Sequence, residues 1–374
     1  MPTMAGGTAI SPSRLNSLFN SISPYDLASS PVIQKRIHNR EYSLFTFIDV
    51  ELQSYLMRKV EGNISPMVMI CCIDPVSGRV LAMAESDKTG GRKRLITQLL
   101  APSASLFKIV TAAAAMESCG FRPKATFCFN GKKHTLYKKQ LNDDKNRWTQ
   151  TVSLDEAFAQ SINPIFGKIG INCLKKDGLL KAARQFGWGM EIPFELPVAK
   201  SIIKISDQEY NWAEIASGFN KDTRITALHA ALIAAAIANE GVMMRPLFID
   251  SVRDHDNMMV YQSAFGPILK PVDRDTALAM RLMMRKTVTS GTAKKSFRGW
   301  KRDKVLKELE IGGKTGTINS RDNRFRYDWF CGYAWRPSDD RMLAVGALIV
   351  HADPLGFKAS LLAKMAFRKY FQEE

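Results

Sequence analysis

Ile311-Gly312-Gly313-Lys314-Thr315-Gly316-Thr317-Ile318 reads as a β-strand with a Lys-Thr-Gly-Thr run at its centre. Two further strands are expected directly after it, over 327–335 and 341–350. Two more are expected far upstream, within 66–85, joined by a turn at Pro75 to Gly78. Between these outer strands, residues from about 103 to 290 read mainly as helix. A helix is expected over 51–61 and a last one over about 356–371, with Leu361, Leu362, Met365 and Ala366 on one side. Strands thus come from both ends of the chain and helices from its middle. That pattern is α+β: an antiparallel five-stranded sheet flanked by helices, with a large helical insertion. Residues 1–40, rich in Ser, Pro and Asn, read as a poorly patterned linker or tail, and 41–374 as one large domain.

Lys314 has two upstream companions, Ser105-Leu106-Phe107-Lys108 and Ser161-Ile162-Asn163. The gaps are 161 − 105 = 56 and 314 − 161 = 153 residues. Together they supply the parts of an acyl-transfer site. Ser105 is a weak nucleophile until a neighbouring base takes its proton. Lys108, three positions on, lies on the same helix face one turn later. A lysine acts as a base only if desolvation or a nearby cation lowers its pKa, and Lys314 is the candidate cation. Ser161 offers a hydroxyl to pass a proton between the lysine side and the leaving amine. Asn163 offers a donor and an acceptor to a peptide-like substrate, and Thr315 and Thr317 offer hydroxyls to a terminal carboxylate. Gly312, Gly313 and Gly316 are expected to leave room for a substrate against the strand. Of the groups in the sequence, Lys108 is the one favoured as acylation base, although the base is disputed across enzymes carrying this trio.

Two decoys show how easily such short motifs arise. Ser201-Ile202-Ile203-Lys204 is a second S-x-x-K, and Lys88-Thr89-Gly90 a second K-T-G. Lys88 lies in a polar turn ahead of any nucleophile, and Ser201 follows the relay motif without a Pro or small-residue approach. Both are read as solvated loop or helix surface.

The ordered trio resembles that of the penicillin-binding protein transpeptidases, and the likeness covers residues 41–374. Phe47 to Gln53 is similar to the segment leading into the family's first helix. Cys72-Ile73-Asp74-Pro75-Val76-Ser77-Gly78-Arg79-Val80-Leu81-Ala82-Met83 resembles its first hairpin, Gly291-Thr292-Ala293 a turn before the cationic strand, and Asp328 to Tyr333 the strand after it. There are departures. Pro102 stands three residues before Ser105, Gly218-Phe219-Asn220 replaces a Gly-Gln-Gly-type turn, and the middle motif is Ser-Ile-Asn rather than Ser-Asp-Asn. The resemblance implies an oxyanion hole from the backbone N–H groups of Ser105 and Thr317. It implies a D-alanyl-D-alanine transpeptidase acting on peptidoglycan stem peptides, acylated by β-lactams at Ser105, with catalytic residues Ser105, Lys108, Ser161 and Lys314. Asn163, Thr315, Gly316 and Thr317 would bind substrate. It also implies a membrane-proximal place on the extracytoplasmic face of the cell envelope, and a separate glycan polymerase as partner. Rival readings are a D-Ala-D-Ala carboxypeptidase or β-lactamase, and a non-catalytic sensor of β-lactams or muropeptides. No Glu-x-x-Leu-Asn-type element supplies a deacylating base.

Composition bounds the rest. The 374 residues, 45% hydrophobic and 9% aromatic, suit a globular protein with a real core. A net charge of +17 favours anionic partners, with basic clusters at 35–40, 92–94, 132–139 and 298–307. No nucleic-acid-binding signature accompanies it, so a charged, solvated face is expected and nucleic acid is not. Six cysteines show no C-x-x-C spacing. Buried free thiols are expected, with Cys71 and Cys72 on opposite faces of a strand, and Cys119 with Cys128 as the one pair to check. The five histidines, His38, His134, His229, His255 and His351, are scattered; Asp254-His255-Asp256 reads as a surface turn, and neither metal nor cofactor is expected. No run reaches about 18 apolar residues, and the first 40 show no signal peptide pattern. The chain is accordingly read as a fragment or late-start product, or as one exported by an unrecognised route.

Overall fold

The computed structural model describes residues 10–22, 26–37, 39–91 and 94–372. His38, Arg92 and Lys93, counted among the basic clusters above, lie outside these residues. The central sheet has five antiparallel strands in the order Glu310–Asn319, Arg326–Arg336, Arg341–His351, Met67–Ile73 and Val80–Asp87. The strand that carries Lys314 is therefore an edge strand. Its outer backbone groups are free of sheet partners and open to a ligand.

The strand Met67–Ile73 is buried at every residue, as a strand covered on both faces must be. Met69, Cys71 and Ile73 join one apolar cluster, whereas Val68, Ile70 and Cys72 join the other, so Cys71 and Cys72 do point to opposite faces. The second face is covered by the helices Val50–Glu61 and Ala359–Phe371. Asp49 caps the former by accepting a hydrogen bond from Leu52 N at 2.9 Å. The first face is covered by Ala227–Ala238, buried at all its residues. Its alanines let the backbone come close. A Cβ added to Gly346 on the strand would sit 2.2 Å from the Ala227 carbonyl oxygen. Arg274–Thr289 packs against this helix, and with Phe107–Cys119, Asn163–Ile169, Lys175–Gln185 and Glu209–Ser217 it makes up the helical middle of the chain.

Three expectations need correction. The first forty residues are not an unpatterned tail where they are described. Pro12–Asn20 is a helix, and Val32–Ile37 pairs with Arg40–Thr46. Leu18, Phe19, Ile22, Leu27 and Ile33 are buried in the main core, which is what orders the segment. The reading of the middle of the chain as mainly helical leaves out Ile249–Asp254 and Met259–Gln262, which complete a second, four-stranded sheet with those N-terminal strands. Asp254-His255-Asp256 lies at the turn of that last hairpin, with Asp254 Oδ1 accepting from Asp256 N and Met258 N. Finally, Cys119 is bonded to Cys173, not left free or paired with Cys128. Cys119 ends the helix Phe107–Cys119 and Cys173 follows Asn163–Ile169. The bridge therefore ties together the two segments that carry the serine motifs. Cys128 contacts Thr151 Oγ1 across its own hairpin instead, at 3.3 Å.

Candidate active site

Ser105 sits in the short turn Ala104–Leu106 that runs into the helix Phe107–Cys119. Its N–H is one of the donors that a helix start leaves without an intrahelical partner. Ala104, just before it, is held at φ +47°, a left-handed conformation unusual for a residue with a side chain. The approach is clamped from both sides. Ser103 N donates to Thr223 O at 2.8 Å, and Trp329 Nε1 donates to Pro102 O at 2.8 Å. Gly218, at φ +66°, lies directly beneath: a Cβ there would fall 1.9 Å from the Ala104 carbonyl oxygen. The Gly218-Phe219-Asn220 departure thus keeps the glycine that this close approach requires.

Lys108 is completely buried, and its Nζ has three neighbours. It donates to Ser105 Oγ at 3.0 Å, to Asn163 Oδ1 at 2.7 Å, and to the carbonyl oxygen of Ser217. Asn163 is held in that orientation because its Nδ2 donates to His134 O at 2.9 Å. Burial pushes the Lys108 pKa well below its ordinary value, and the Lys314 charge adds to the effect. A neutral lysine has two N–H groups and one lone pair. Asn163 Oδ1 and Ser217 O can only accept, so they take the two N–H groups. The lone pair then faces the Ser105 hydroxyl, the geometry a general base needs.

Ser161 is also held in a left-handed conformation, at φ +56°, between the helices Leu154–Ala159 and Asn163–Ile169. Backbone strain of this kind persists only where the surroundings over-determine it. Lys314 Nζ, completely buried, donates to Ser161 Oγ at 2.9 Å and to Thr315 O at 3.0 Å. Burial lowers its pKa to about 7. The faces of Phe166 and Phe158 lie 5.4 Å from Lys108 Nζ and 5.6 Å from Lys314 Nζ. Two ammonium groups in one buried pocket repel, which adds to the effect of burial on Lys108, while Lys314 is held near neutrality.

Ser105, Ser161, Asn163, Thr315 and Thr317 line one cleft of about 870 Å³. Thr317 is exposed, and Thr315 shares a hydrogen bond with Thr292 at 2.5 Å. Gly316 packs against Ala104, where an added Cβ would meet the Ala104 Cβ at 3.3 Å. Gly312 and Gly313 do not make room for a substrate as expected. The rings of Tyr333 and Phe330 on the next strand fill their space, at 2.7 and 2.3 Å from an added Cβ. The cleft is basic, with Lys221, Lys295, Arg326 and Lys358 among its lining residues, and among the described residues its one lining carboxylate is Asp328, which is 3.5 Å from His351 Nε2. Both decoys lie apart from this cleft. Lys88 is in an exposed turn, bonded to Asn63 O. Ser201 is buried rather than solvated, bonded at 2.6 Å to His229 Nδ1, while Lys204 is exposed.

Sequence reasoning missed Ser217, Phe158 and Phe166. Ser217 acts through a backbone carbonyl, which leaves no residue-type signal. The rings are apolar residues within helices and read as core. Thr292 was legible as part of the Gly291-Thr292-Ala293 turn.

The family description "Penicillin binding protein transpeptidase domain" matches residues 68–372. The chain belongs to this family. It is 27% identical over 257 residues to the peptidoglycan D,D-transpeptidase PbpA of Mycolicibacterium smegmatis, covering 66% of this chain and 49% of that protein. The chain thus spans about half the length of the curated relatives it matches. Its fold is similar to the D,D-transpeptidase domain of a peptidoglycan glycosyltransferase from Eggerthella lenta, with TM-score 0.70, 23% identity, and coverage of 87% and 82% of the two chains. It is also similar to PBPA of Mycobacterium tuberculosis, with TM-score 0.70, 22% identity and coverage of 88% and 82%. That protein has been captured as an imipenem acyl-enzyme. At these identities the structural likeness speaks for the fold alone.

Proposed function

We propose that this chain is a serine D-Ala-D-Ala transpeptidase that cross-links peptidoglycan stem peptides and is acylated by penicillin. The observation that carries the reading is Lys108 Nζ at 3.0 Å from Ser105 Oγ, with its other two contacts made to Asn163 Oδ1 and the Ser217 carbonyl, which can only accept. Ser105 Oγ attacks the penultimate D-alanine carbonyl and Lys108 takes its proton. The Ser105 and Thr317 N–H groups receive the developing oxyanion. The proton returns to the leaving D-alanine amine through Ser161, which Lys314 holds in place at 2.9 Å. The substrate carboxylate meets Lys314, Thr315 and Thr317. Its negative charge would raise the Lys314 pKa from about 7 and keep it protonated.

The acyl group then passes to an amine. Against hydrolysis stands the lining of the cleft, whose one carboxylate among the described residues, Asp328, faces His351. Membership of the family supports a place at the cell envelope, close to the membrane and beside a separate glycan polymerase. Among the described residues no helix is long and apolar enough to cross a membrane. The test offers a soluble D-Ala-D-Ala donor peptide together with a peptide amine. Cross-linked product from the wild type and none from Ser105→Ala is expected. Hydrolysis without cross-linking would make the chain a carboxypeptidase, and neither product would leave a sensor.

A further inference from the structure

A second cavity of about 440 Å³ adjoins the catalytic cleft. The two share Lys221 and Asn319 as lining residues. Between them runs one bridge, the hydrogen bond from Lys221 Nζ to Ser320 O at 3.1 Å. The far cavity is walled by Pro102, so it abuts the turn that presents Ser105. Its wall is tied to that turn, because Pro102 pairs with Arg224 across a short antiparallel ladder. A peptide seated in it could extend past Lys221 and Asn319 into the cleft that holds Ser105.

Its charges are unbalanced. Asp222 is matched by Arg321 at 2.7 Å, and Asp322 is matched by Arg324. Lys204, Lys221 and Arg224 meet no carboxylate among the described residues. Arg224 donates one long bond, 3.4 Å, to Leu100 O, and its Nε is buried without a hydrogen-bond partner. Three cations without a carboxylate partner around one cavity favour an anionic occupant. Exposed Ile202 adds an apolar contact beside these cations.

We propose that this cavity is the acceptor-peptide site, taking a carboxylate-bearing peptide whose free amine reaches the acyl group on Ser105. The proposal rests on the transpeptidase reading. A transpeptidase must seat two peptides, and the fold offers two adjoining basic cavities separated by one lysine bridge. The amine nitrogen bonds to the acyl carbon, the ester C–O bond breaks, and a proton of the amine passes to Ser105 Oγ. Atoms and charge balance with no further reactant.

The test uses Lys204→Glu and Ile202→Glu, two exposed positions that line the second cavity and not the catalytic cleft. The probes are a synthetic tripeptide with a free side-chain amine and free carboxylates, and the same peptide with its carboxylates amidated. In the wild type, the penicillin-acylated protein should still bind the free-carboxylate tripeptide by calorimetry, and each variant should weaken that binding roughly tenfold. With a soluble donor, the acceptor concentration that gives equal aminolysis and hydrolysis should rise by a similar factor. The amidated peptide should respond less than threefold, and penicillin acylation should stay within about twofold of wild type. The proposal is overturned if the acylated wild type binds no tripeptide, if the variants bind and partition as wild type does, or if both peptides respond alike. Loss of penicillin acylation in the wild type would instead strike the transpeptidase reading itself.

Discussion

Replacing Asn163 by Asp would exchange an amide oxygen for a carboxylate 2.7 Å from Lys108 Nζ. At an effective dielectric of about 20, a unit negative charge at that distance favours the ammonium by roughly 6 kcal/mol. The buried carboxylate opposes this through its own desolvation, and it also loses the bond from Nδ2 to His134 O. If about a third of the attraction survives, near 2 kcal/mol, the midpoint of Lys108 rises by about 1.5 pH, and the neutral fraction falls by up to roughly 30-fold at pH values below the wild-type midpoint. Acylation by a fluorescent penicillin, followed as a second-order rate constant from pH 6 to 10, reads this directly. The rising limb of the Asn163→Asp profile should move about 1.5 pH higher, with the rate on that limb down by up to about 30-fold and recovering to a plateau as pH rises. Asn163→Ala introduces no charge, so it should lose rate without moving the limb upward. An Asn163→Asp profile with its limb at the wild-type pH, or a loss uniform across pH, would refute Lys108 as the base.

Lys314 has a folded pKa of about 7 against an ordinary 10.5. Between those values the unfolded chain binds more protons, so this residue makes stability rise with pH from about 7 to 10.5, and below 7 its full penalty applies. Lys314→Met should therefore melt higher than wild type at pH 6, with the gap narrowing towards pH 10, as calorimetry would show; a gap independent of pH would contradict the buried-lysine account. Gly218→Ala should destabilise by about 2–4 kcal/mol and slow penicillin acylation together, because its Cβ would press on the Ala104 carbonyl 1.9 Å away. Unchanged melting and acylation would show that this contact relaxes freely. The penicilloyl adduct should persist far beyond the turnover of a β-lactamase, typically ~1–1000 per second. Intact mass followed for an hour after removal of free penicillin measures it, and rapid return to the unmodified mass would favour the hydrolase.

The sheet was legible because its strands are short apolar runs bounded by turn residues. Each of the five lies within a residue or two of where the sequence puts it, including the edge strand Glu310–Asn319. The three motifs were legible as residue types in order, and Lys108, Ser161, Asn163 and Lys314 do converge. What stayed hidden depends on neighbours distant in the chain. Gly312 and Gly313 look like substrate clearance until Tyr333 and Phe330 are brought alongside by strand pairing. Cys119 and Cys173, 54 residues apart, meet only because two helices pack. The N-terminal helix and strands look featureless alone, since their apolar side chains find partners on Phe248 and Tyr261 more than 200 residues later. Asn163 Oδ1 accepts from Lys108, a contact that residue type alone does not announce. Left-handed backbone at Ala104 and Ser161 has no signature in residue type.

The central claim is that Ser105, and no other serine, carries the acyl group. Wild-type protein, Ser105→Ala and Ser201→Ala should be incubated with penicillin, measured by intact mass and then mapped by peptide. One penicilloyl mass on the peptide containing Ser105 is expected in wild type and in folded Ser201→Ala, and none in Ser105→Ala. Equal labelling of Ser105→Ala, or an adduct mapped to another residue, would contradict the account.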